Sequence, residues 1–210
     1  DKLIDDHLFA VAAHEMGHVL GLRHNFEGST HAALETIRSA TPWSEKSISA
    51  SIMDYVPMIL AGPGEKQGPY FEQSLGEYDY FAIEYGYKEV KSATGESKEE
   101  AIRKLANKAE QGNLRYGPDE DLYQYGGIDP LTQTFDLGDD PLKYAKEQSR
   151  QIQETIPLLP RLVDVGDDYY FIRDAFEHLI SSYFTQATRA IPFIGGQYFR
   201  HIIKESTAAR

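Results

Sequence analysis

The sequence contains no cysteine, so disulfide bonds and thiolate chemistry are excluded. A transition metal would therefore have to be bound by histidine, aspartate, glutamate or water. Long apolar runs are also missing, since no segment approaches the roughly 20 apolar residues of a membrane-spanning helix. Positive charge is scarce, because 21 Lys and Arg residues stand against 33 Asp and Glu, for a net charge of −12. This balance disfavours nucleic acids and anionic membranes as partners.

The chain has enough apolar residues for a core, since 41% of its 210 residues are hydrophobic and 12% are aromatic. Apolar spacing of three and four residues recurs, whereas alternating strand patterns do not. We therefore expect a mainly α fold with long loops, divided into regions 1–90 and 91–210. Helices are predicted at about 5–20, 31–39, 76–87, 97–110, 140–155 and 167–190.

Capping residues define several of these predicted helices. Asp5 or Asp6 is expected to cap the first helix, and Gly21 to end it. Ser97 begins a capping box, and Asp140 precedes a proline suited to a first helical turn. Pro157 and Pro160 are expected to break the helix that starts there. In the last helix an aromatic stripe is predicted to be core: Tyr170, Phe171, Phe176, Ile180, Tyr183 and Phe184.

Three of the seven histidines lie within "HEMGHVLGLRH", residues 14–24. His14 and His18 are four residues apart, about 400° around a helix, so their imidazoles share one face. Gly21 can turn the chain back, so that His24 approaches the same point from a third direction. Three neutral histidines leave one coordination position open, which is the arrangement of a catalytic zinc site rather than a structural one. The alternative, a helix with unrelated histidines, is disfavoured because the full pattern rarely arises by chance.

Glu15 lies between two of the histidines in sequence but about 100° around the helix from His14. It can reach a water molecule at the metal without binding the metal itself. In this hypothesis the metal lowers the pKa of the water towards about 7 and polarises a carbonyl group. Glu15 then takes the proton and returns it to the leaving amine.

The motif His14-Glu15-x-x-His18-x-x-Gly21-x-x-His24 resembles the metzincin consensus, which has a Met-turn downstream. By this resemblance Met53, in "SIMDY", would lie beneath the zinc as an apolar floor. Tyr55 matches a tyrosine that astacin-like and serralysin-like metzincins place near the metal. The resemblance implies that its phenol donates to the oxyanion or transiently binds zinc, and the alternative is a packed loop tyrosine.

Further blocks are similar to the bacterial EcxA-like, or Met-zincin, zinc proteases. They stand at 14–29, 51–55, 78–87 and 135–145, and so span most of residues 12–145. The chain after residue 146 resembles this group only loosely. Asn25, directly after the third histidine, departs from the Glu, Ser, Asp or Pro of better-known metzincin families. We interpret it as a turn residue bonded to its own backbone, with a role beside the metal ligands as the alternative.

Two other features are interpreted as structural. The acidic run 118–140 lacks the alternation of an EF-hand loop, so solvated turns or helix caps are preferred over a calcium site. His7, about two turns before His14, is expected to be a surface or core-edge residue away from the metal.

We therefore predict a zinc-dependent endopeptidase that acts on protein or peptide substrates. The resemblance implies a domain whose upper part carries a sheet, and this chain corresponds to the lower part plus a helical C-terminal extension. Because the zinc motif lies near residue 1 of the chain, the N-terminal part of the same protein is the expected partner. The 210-residue fragment alone is expected to be weakly active or inactive. The resemblance implies a secreted or periplasmic protein, although residues 1–10 are not a signal peptide.

Two alternatives to the peptidase are open. One is a non-catalytic binding or scaffold module that keeps zinc for stability, which the presence of Glu15 disfavours, since a structural site needs no base. The other is a zinc hydrolase that acts on a non-protein amide.

Overall fold

A computed structural model describes residues 1–39, 47–61, 66–89, 97–110, 114–124, 127–161 and 168–199. Within these ranges the chain is mainly helical and has no β-strand, which confirms the predicted mainly α fold. None of the described helices is long and apolar enough to cross a membrane. The α-helices are α1 (Lys2–Val19), α2 (Leu34–Ser39), α3 (Glu77–Tyr87), α4 (Lys98–Ala106), α5 (Pro141–Thr155) and α6 (Tyr170–Thr188). Short segments of 3-10 or π-helix occupy Gly28–His31, Asn107–Glu110, Glu120–Gln124, Ile156–Arg161 and Ile191–Phe193.

Helix α1 begins one turn earlier than predicted. Asp1 is its N-cap, and the carboxylate accepts a hydrogen bond from the amide of Leu3. The prediction of Asp5 or Asp6 as the cap is wrong, because the charge pattern cannot rank three aspartates that each could start a helix. Asp6 instead accepts from the amide of Tyr70 at 2.8 Å and so joins α1 to the 66–75 loop. Gly21 has φ +84°, the left-handed conformation predicted for the end of the helix.

The other helices follow their capping signals closely. Ser97 caps α4 in a capping box, and Asp140 caps α5 with Pro141 in its first turn, as predicted. The predicted helix 31–39 is shorter, since a 3-10 turn precedes α2. Helix α5 ends at Thr155, before Pro157 and Pro160, as predicted, and the chain continues as the 3-10 segment Ile156–Arg161. The tighter turn has a different hydrogen-bond pattern and runs for one short segment only.

The apolar core lies beneath loops rather than between long helices. Its members come from α2, the 47–61 loop, the 136–138 segment and α5: Leu34, Ile37, Ile48, Ile59, Leu137 and Tyr144. Helix α6 packs on α5, but its aromatic stripe is not buried, and the prediction of core there is wrong. Phe171 and Phe184, for example, are each 64% exposed. Apolar spacing indicates a helix face but cannot tell whether a second layer covers it.

Buried carboxylates hold the irregular 47–61 loop in place of a strand ladder. Glu72 is 2% exposed and accepts from the amides of Ile48 and Ser49 at 2.5 and 3.0 Å. Asp79, in the first turn of α3, accepts from the Ser51 hydroxyl at 2.6 Å and from the Ile52 amide at 2.8 Å. These contacts satisfy backbone and side-chain donors that would otherwise be buried without a partner.

The start of α3 lies against the same loop at very close range. A Cβ atom at Gly76 would lie 1.9 Å from the carbonyl oxygen of Ala50. That oxygen also accepts from the amide of Tyr78 at 2.9 Å. Only glycine therefore allows α3 to begin where Asp79 reaches the loop.

Replacing Gly76 with alanine is expected to lower the free energy of unfolding by about 3 kcal/mol, because backbone rather than a flexible side chain must move. Gly86, near the end of α3, is the matched control, since a Cβ there meets nothing within 4 Å. Gly86→Ala should raise the free energy of unfolding by about 0.5–1 kcal/mol through helix propensity. Urea denaturation measures both, and equal stability of the two variants would contradict the close approach.

Candidate metal and active site

Helix α1 presents His14 and His18 on one face, as the four-residue spacing predicts, with ring centroids 4.8 Å apart. Nδ1 of His14 lies 2.8 Å from the carbonyl oxygen of Ile52, and Nδ1 of His18 lies 3.0 Å from that of Leu22. A carbonyl oxygen only accepts, so each Nδ1 carries the proton and donates it. Both Nε2 atoms are then left as lone-pair donors, the form a metal requires. Burial lowers the pKa of His14, which further favours its neutral form.

The third histidine arrives from the turn at Gly21. His24 has its ring centroid 4.8 Å from that of His18 and 5.3 Å from that of His14. Its Nδ1 lies 2.8 Å from a carboxylate oxygen of Asp119, which can only accept from it. All three rings therefore have Nδ1 occupied by a fixed acceptor.

The donor set fits a zinc ion. One ligand nitrogen from each of His14, His18 and His24 lies within 4.8 Å of the other two, and among the described residues no other such group of His, Cys, Asp or Glu is found. Zinc binds histidine nitrogens at about 2.0–2.1 Å, and His14, His18 and His24 are the residues that would hold it. Three imidazoles leave a coordination position for water or substrate, so this arrangement suits catalysis better than structural support.

Glu15 follows the first ligand on α1 and is exposed. It lines a cavity together with His14 and Tyr55. Its side chain therefore faces a space that a substrate could enter, and it is not a member of the metal-ligand group.

Tyr55 lies at the metal side of His24. Its hydroxyl is 2.9 Å from Nε2 of His24, and since Nδ1 of that ring carries the proton, the phenol donates to Nε2. Burial raises the pKa of Tyr55 above its ordinary value, so the phenol keeps its proton and can act as a donor. The sequence left open whether Tyr55 belongs to the site or only packs against the loop, and the structure brings it to a ligand nitrogen.

Met53 is fully buried and lies directly beneath α1. A Cβ atom added at Gly17 would be 2.3 Å from Sδ of Met53, so the sulfur fills the space that glycine leaves on the helix. The carbonyl oxygen of Met53 accepts from the amide of Asn25 at 3.2 Å. Met53 thus packs between the helix of the first two histidines and the segment of the third.

Asn25 does more than stabilise its own turn, which corrects the preferred interpretation. It is fully buried, its amide donates to the carbonyl oxygen of Arg115 at 2.9 Å, and its side-chain oxygen accepts from the amide of Gly117 at 3.0 Å. Its contact with its own turn, from the amide of Glu27, is longer at 3.4 Å. Asn25 therefore fastens segment 115–117 to the residue after His24, and so brings Asp119 to that histidine.

Asp119 is the site residue that the sequence did not reveal. It was part of the acidic run interpreted as solvated turns or helix caps rather than a calcium site, and it lies 95 residues after His24 in sequence. Burial alone would raise its pKa, but the hydrogen bond from His24 and the charge of Arg23 bring the pKa below its usual range. Arg23 also contacts Glu120 at 2.9 Å, so an arginine next to His24 helps to hold this turn.

The acidic run is solvated only in part: Asp139 and Asp140 are exposed and Asp140 caps α5 as predicted, but the prediction is wrong for the members that are buried. Asp121, Asp129 and Asp136 are at most 3% exposed. Asp129 accepts from the amides of Leu131 and Phe199, and Asp136 accepts from the hydroxyl of Ser29. In these irregular segments the carboxylates accept hydrogen bonds from backbone amides and from a hydroxyl, which in regular secondary structure would be the role of carbonyl groups.

A cavity of about 270 Å³ opens beside the first ligand and Glu15. His7 lines it and contacts Phe71, with ring centroids 4.7 Å apart and the rings tilted by 49°. His7 is exposed and is not a member of the metal-ligand group, as expected, although it shares a helix face with His14 and lines the cavity. The other lining residues are Ala10, Val11, His14, Glu15, Ser51, Ile52, Asp54, Tyr55, Val56, Phe71, Glu72 and Phe135.

Replacing Asp119 with alanine is expected to weaken zinc affinity about 10- to 100-fold, because His24 loses the acceptor that fixes its tautomer and orientation. Glu120→Ala is the matched control, since Glu120 pairs with Arg23 but has no contact with His24. Competition with a chromophoric zinc chelator measures both affinities. Equal zinc affinity of Asp119→Ala and wild type would contradict the role of the carboxylate.

A family model described as Met-zincin matches residues 1–209 of the chain. The match includes the three histidines, the 51–55 turn and the helical C-terminal region. No curated protein and no solved structure is significantly similar to the chain. The metzincin-type resemblance is confirmed at this level, whereas the narrower likeness to EcxA-like proteases and the secreted or periplasmic location stay predictions.

Proposed function

The chain belongs to the Met-zincin family, and on that premise we propose that it is the zinc-binding part of an endopeptidase that hydrolyses peptide bonds. One observation carries the proposal. Each of the three histidines donates through Nδ1 to a fixed acceptor, which leaves the Nε2 lone pairs for a metal, and one ligand nitrogen of each ring lies within 4.8 Å of the other two. A structural zinc site would need a fourth protein ligand, and the residues around the triad supply an exposed Glu15 instead.

The chemistry divides between the metal and the residues around it. A zinc ion bound by the triad would supply Lewis acidity, which polarises a peptide carbonyl and makes water easier to deprotonate. Glu15, at the edge of the cavity, takes the proton of the attacking water and passes it to the leaving amine. Tyr55, whose hydroxyl lies 2.9 Å from Nε2 of His24, donates to the oxyanion that forms on the carbonyl.

Replacing Glu15 with alanine is expected to leave zinc binding intact and to lower peptide cleavage about 10²- to 10⁴-fold, because the general base is lost. His24→Ala should instead lose zinc. Asp5→Ala is the matched control, since Asp5 lies on the same helix and is exposed. Zinc content and cleavage of a denatured protein substrate are measured in the 210-residue chain and in a longer form that includes the preceding residues.

The result separates the candidate functions. Zinc-loaded Glu15→Ala that cleaves as fast as wild type would contradict the mechanism. A longer form that binds zinc but cleaves neither proteins nor peptides would favour a scaffold module or a hydrolase of non-protein amides.

We also propose that the N-terminal part of the same protein packs on α1. Helix α1 exposes large apolar side chains along one face, before and after Glu15, which favours a further layer of protein against the helix. Leu8 is 61% exposed and Val19 79% exposed. The face repeats at spacings close to whole turns, and its members are Ile4, Leu8, Val11 and Val19.

The proposed cover predicts a difference in binding of an apolar dye. The 210-residue chain should bind anilinonaphthalene sulfonate, and the double variant Leu8→Ser, Val19→Ser should bind less while it keeps zinc. Tyr169→Ser is the control, because Tyr169 is equally exposed at 79% but lies at the start of α6. In the longer form the Leu8 and Val19 changes should no longer affect dye binding, and an unchanged effect there would contradict packing on α1.

A further inference from the structure

Phe135 forms part of the wall of the cavity beside Glu15 and has an unusual backbone. Its φ is +57°, and it is the one non-glycine residue with positive φ in the described part of the chain. A large aromatic residue is rarely found in this left-handed region, and the strain persists only where surrounding contacts impose it. Such residues are concentrated at active sites and ligand clamps.

Arg189 from the end of α6 imposes this conformation. Its guanidinium donates to the carbonyl oxygens of Thr134 and Phe135, each at 2.7 Å, and to the side-chain oxygen of Gln133 at 3.2 Å. Arg189 is itself only 8% exposed. A planar fork with several donors can fix three acceptors on consecutive residues, which a lysine cannot do. The clamp therefore sets the path of the backbone through residue 135.

The other side of Phe135 is fixed to the catalytic segment. Its amide donates to the carbonyl oxygen of Tyr55 at 2.6 Å, and the two rings stack with centroids 6.0 Å apart. The ring of Phe135 is nevertheless 54% exposed, although it is large and apolar. An aromatic side chain held rigidly at the mouth of a cavity, yet uncovered, is suited to contact a ligand.

Resting on the proposed function, we propose that Phe135 is a specificity-determining residue and that Arg189 positions it. Together they select substrates with one bulky apolar side chain next to the bond that is cleaved. The cavity, at about 270 Å³, is below the roughly 300–1,000 Å³ that encloses drug-sized ligands. One side chain fits it better than an extended group. Its apolar walls are Val11, Ile52, Val56, Phe71 and Phe135.

The polar residues of the cavity do not favour a charged substrate side chain. Glu72 would be the obvious partner for a lysine, but its two oxygens already accept from the amides of Ile48, Ser49, Gln73 and Ser74. Asp54, the other carboxylate in the wall, is only 6% exposed and accepts from the Ser29 amide and the Ser49 hydroxyl. The negative charge of Glu15 disfavours an acidic side chain. An aliphatic or aromatic side chain is therefore the best match.

The experiment uses zinc-loaded protein and hydroxamates that bind the metal through one common head group. The probes differ in one side chain, which is hydrogen, isobutyl, benzyl or aminobutyl. Wild type should bind the isobutyl or benzyl probe at least about tenfold more tightly than the hydrogen probe. Phe135→Ala should lower this ratio about tenfold and leave the affinity of the hydrogen probe unchanged. Phe135→Leu, which keeps an apolar wall, should retain most of the ratio.

Further variants separate specificity from folding. Phe135→Gly relieves the backbone strain, so it should fold at least as well as wild type while it loses the ratio. Arg189→Lys keeps the positive charge but loses the planar guanidinium, so it should lower the ratio of apolar-probe to hydrogen-probe affinity in the wild-type background. In the Phe135→Gly background the same change should have no effect on this ratio, because Arg189 acts through Phe135. Phe184→Ala, which removes an aromatic side chain that is 64% exposed on α6, is the control and should change nothing.

The outcomes distinguish this inference from the proposed function. If zinc is bound but the hydrogen probe does not bind, the peptidase site itself is contradicted. If the hydrogen probe binds and Phe135→Gly keeps the wild-type ratio, the role of Phe135 is contradicted while the metal site stands. Tightest binding of the aminobutyl probe would overturn the apolar specificity.

Discussion

Two adjacent carbonyl groups, those of Ile52 and Met53, hold the metal ligands in register. The first accepts from Nδ1 of His14 at 2.8 Å, and the second accepts from the amide of Asn25, next to His24, at 3.2 Å. The helix and the loop that supply the histidines are thereby tied to one short turn. Because the three nitrogens must converge on one ion, any shift of this turn would change the distances at the metal. The turn is therefore the constraint on which the site depends.

That turn is itself neither strand nor helix, so buried carboxylates accept from its backbone amides. Asp79 holds Ser51 and the Ile52 amide, and Asp54 accepts from the amide of Ser29 at 2.6 Å. Burial, with the nearby charge of Asp136, raises the pKa of Asp54 well above its ordinary value. Burying a carboxylate costs free energy unless it is hydrogen-bonded. Here the carboxylates are bonded to amides of the irregular loop, which would otherwise be buried without an acceptor.

The sequence predicted the features that depend on residues close together in the chain. It missed the features that depend on contacts between residues far apart in the chain. The spacing of His14 and His18 and the caps at Ser97 and Asp140 are local signals, and the structure agrees with them. The contact of Asp119 with His24 joins residues 95 positions apart, and no local pattern encodes it. Burial is equally non-local, since the acidic run was expected to be solvated and α6 was expected to be covered. Composition shows that a residue is acidic or apolar, but not what packs on it.

The helical C-terminal region matters to the site through a contact of the same non-local kind. Taken alone, α6 is an exposed helix whose aromatic residues cover little. Its C-terminal end, however, supplies Arg189, which donates to the backbone carbonyl oxygens of Thr134 and Phe135. Burial raises the pKa of Asp136 to about 6, and the charge of Arg189 limits this rise. Through that backbone it controls Phe135, which stacks on Tyr55 at the metal side of His24. The predicted regions 1–90 and 91–210 therefore meet at the cavity, and the shape of the cleft depends on both.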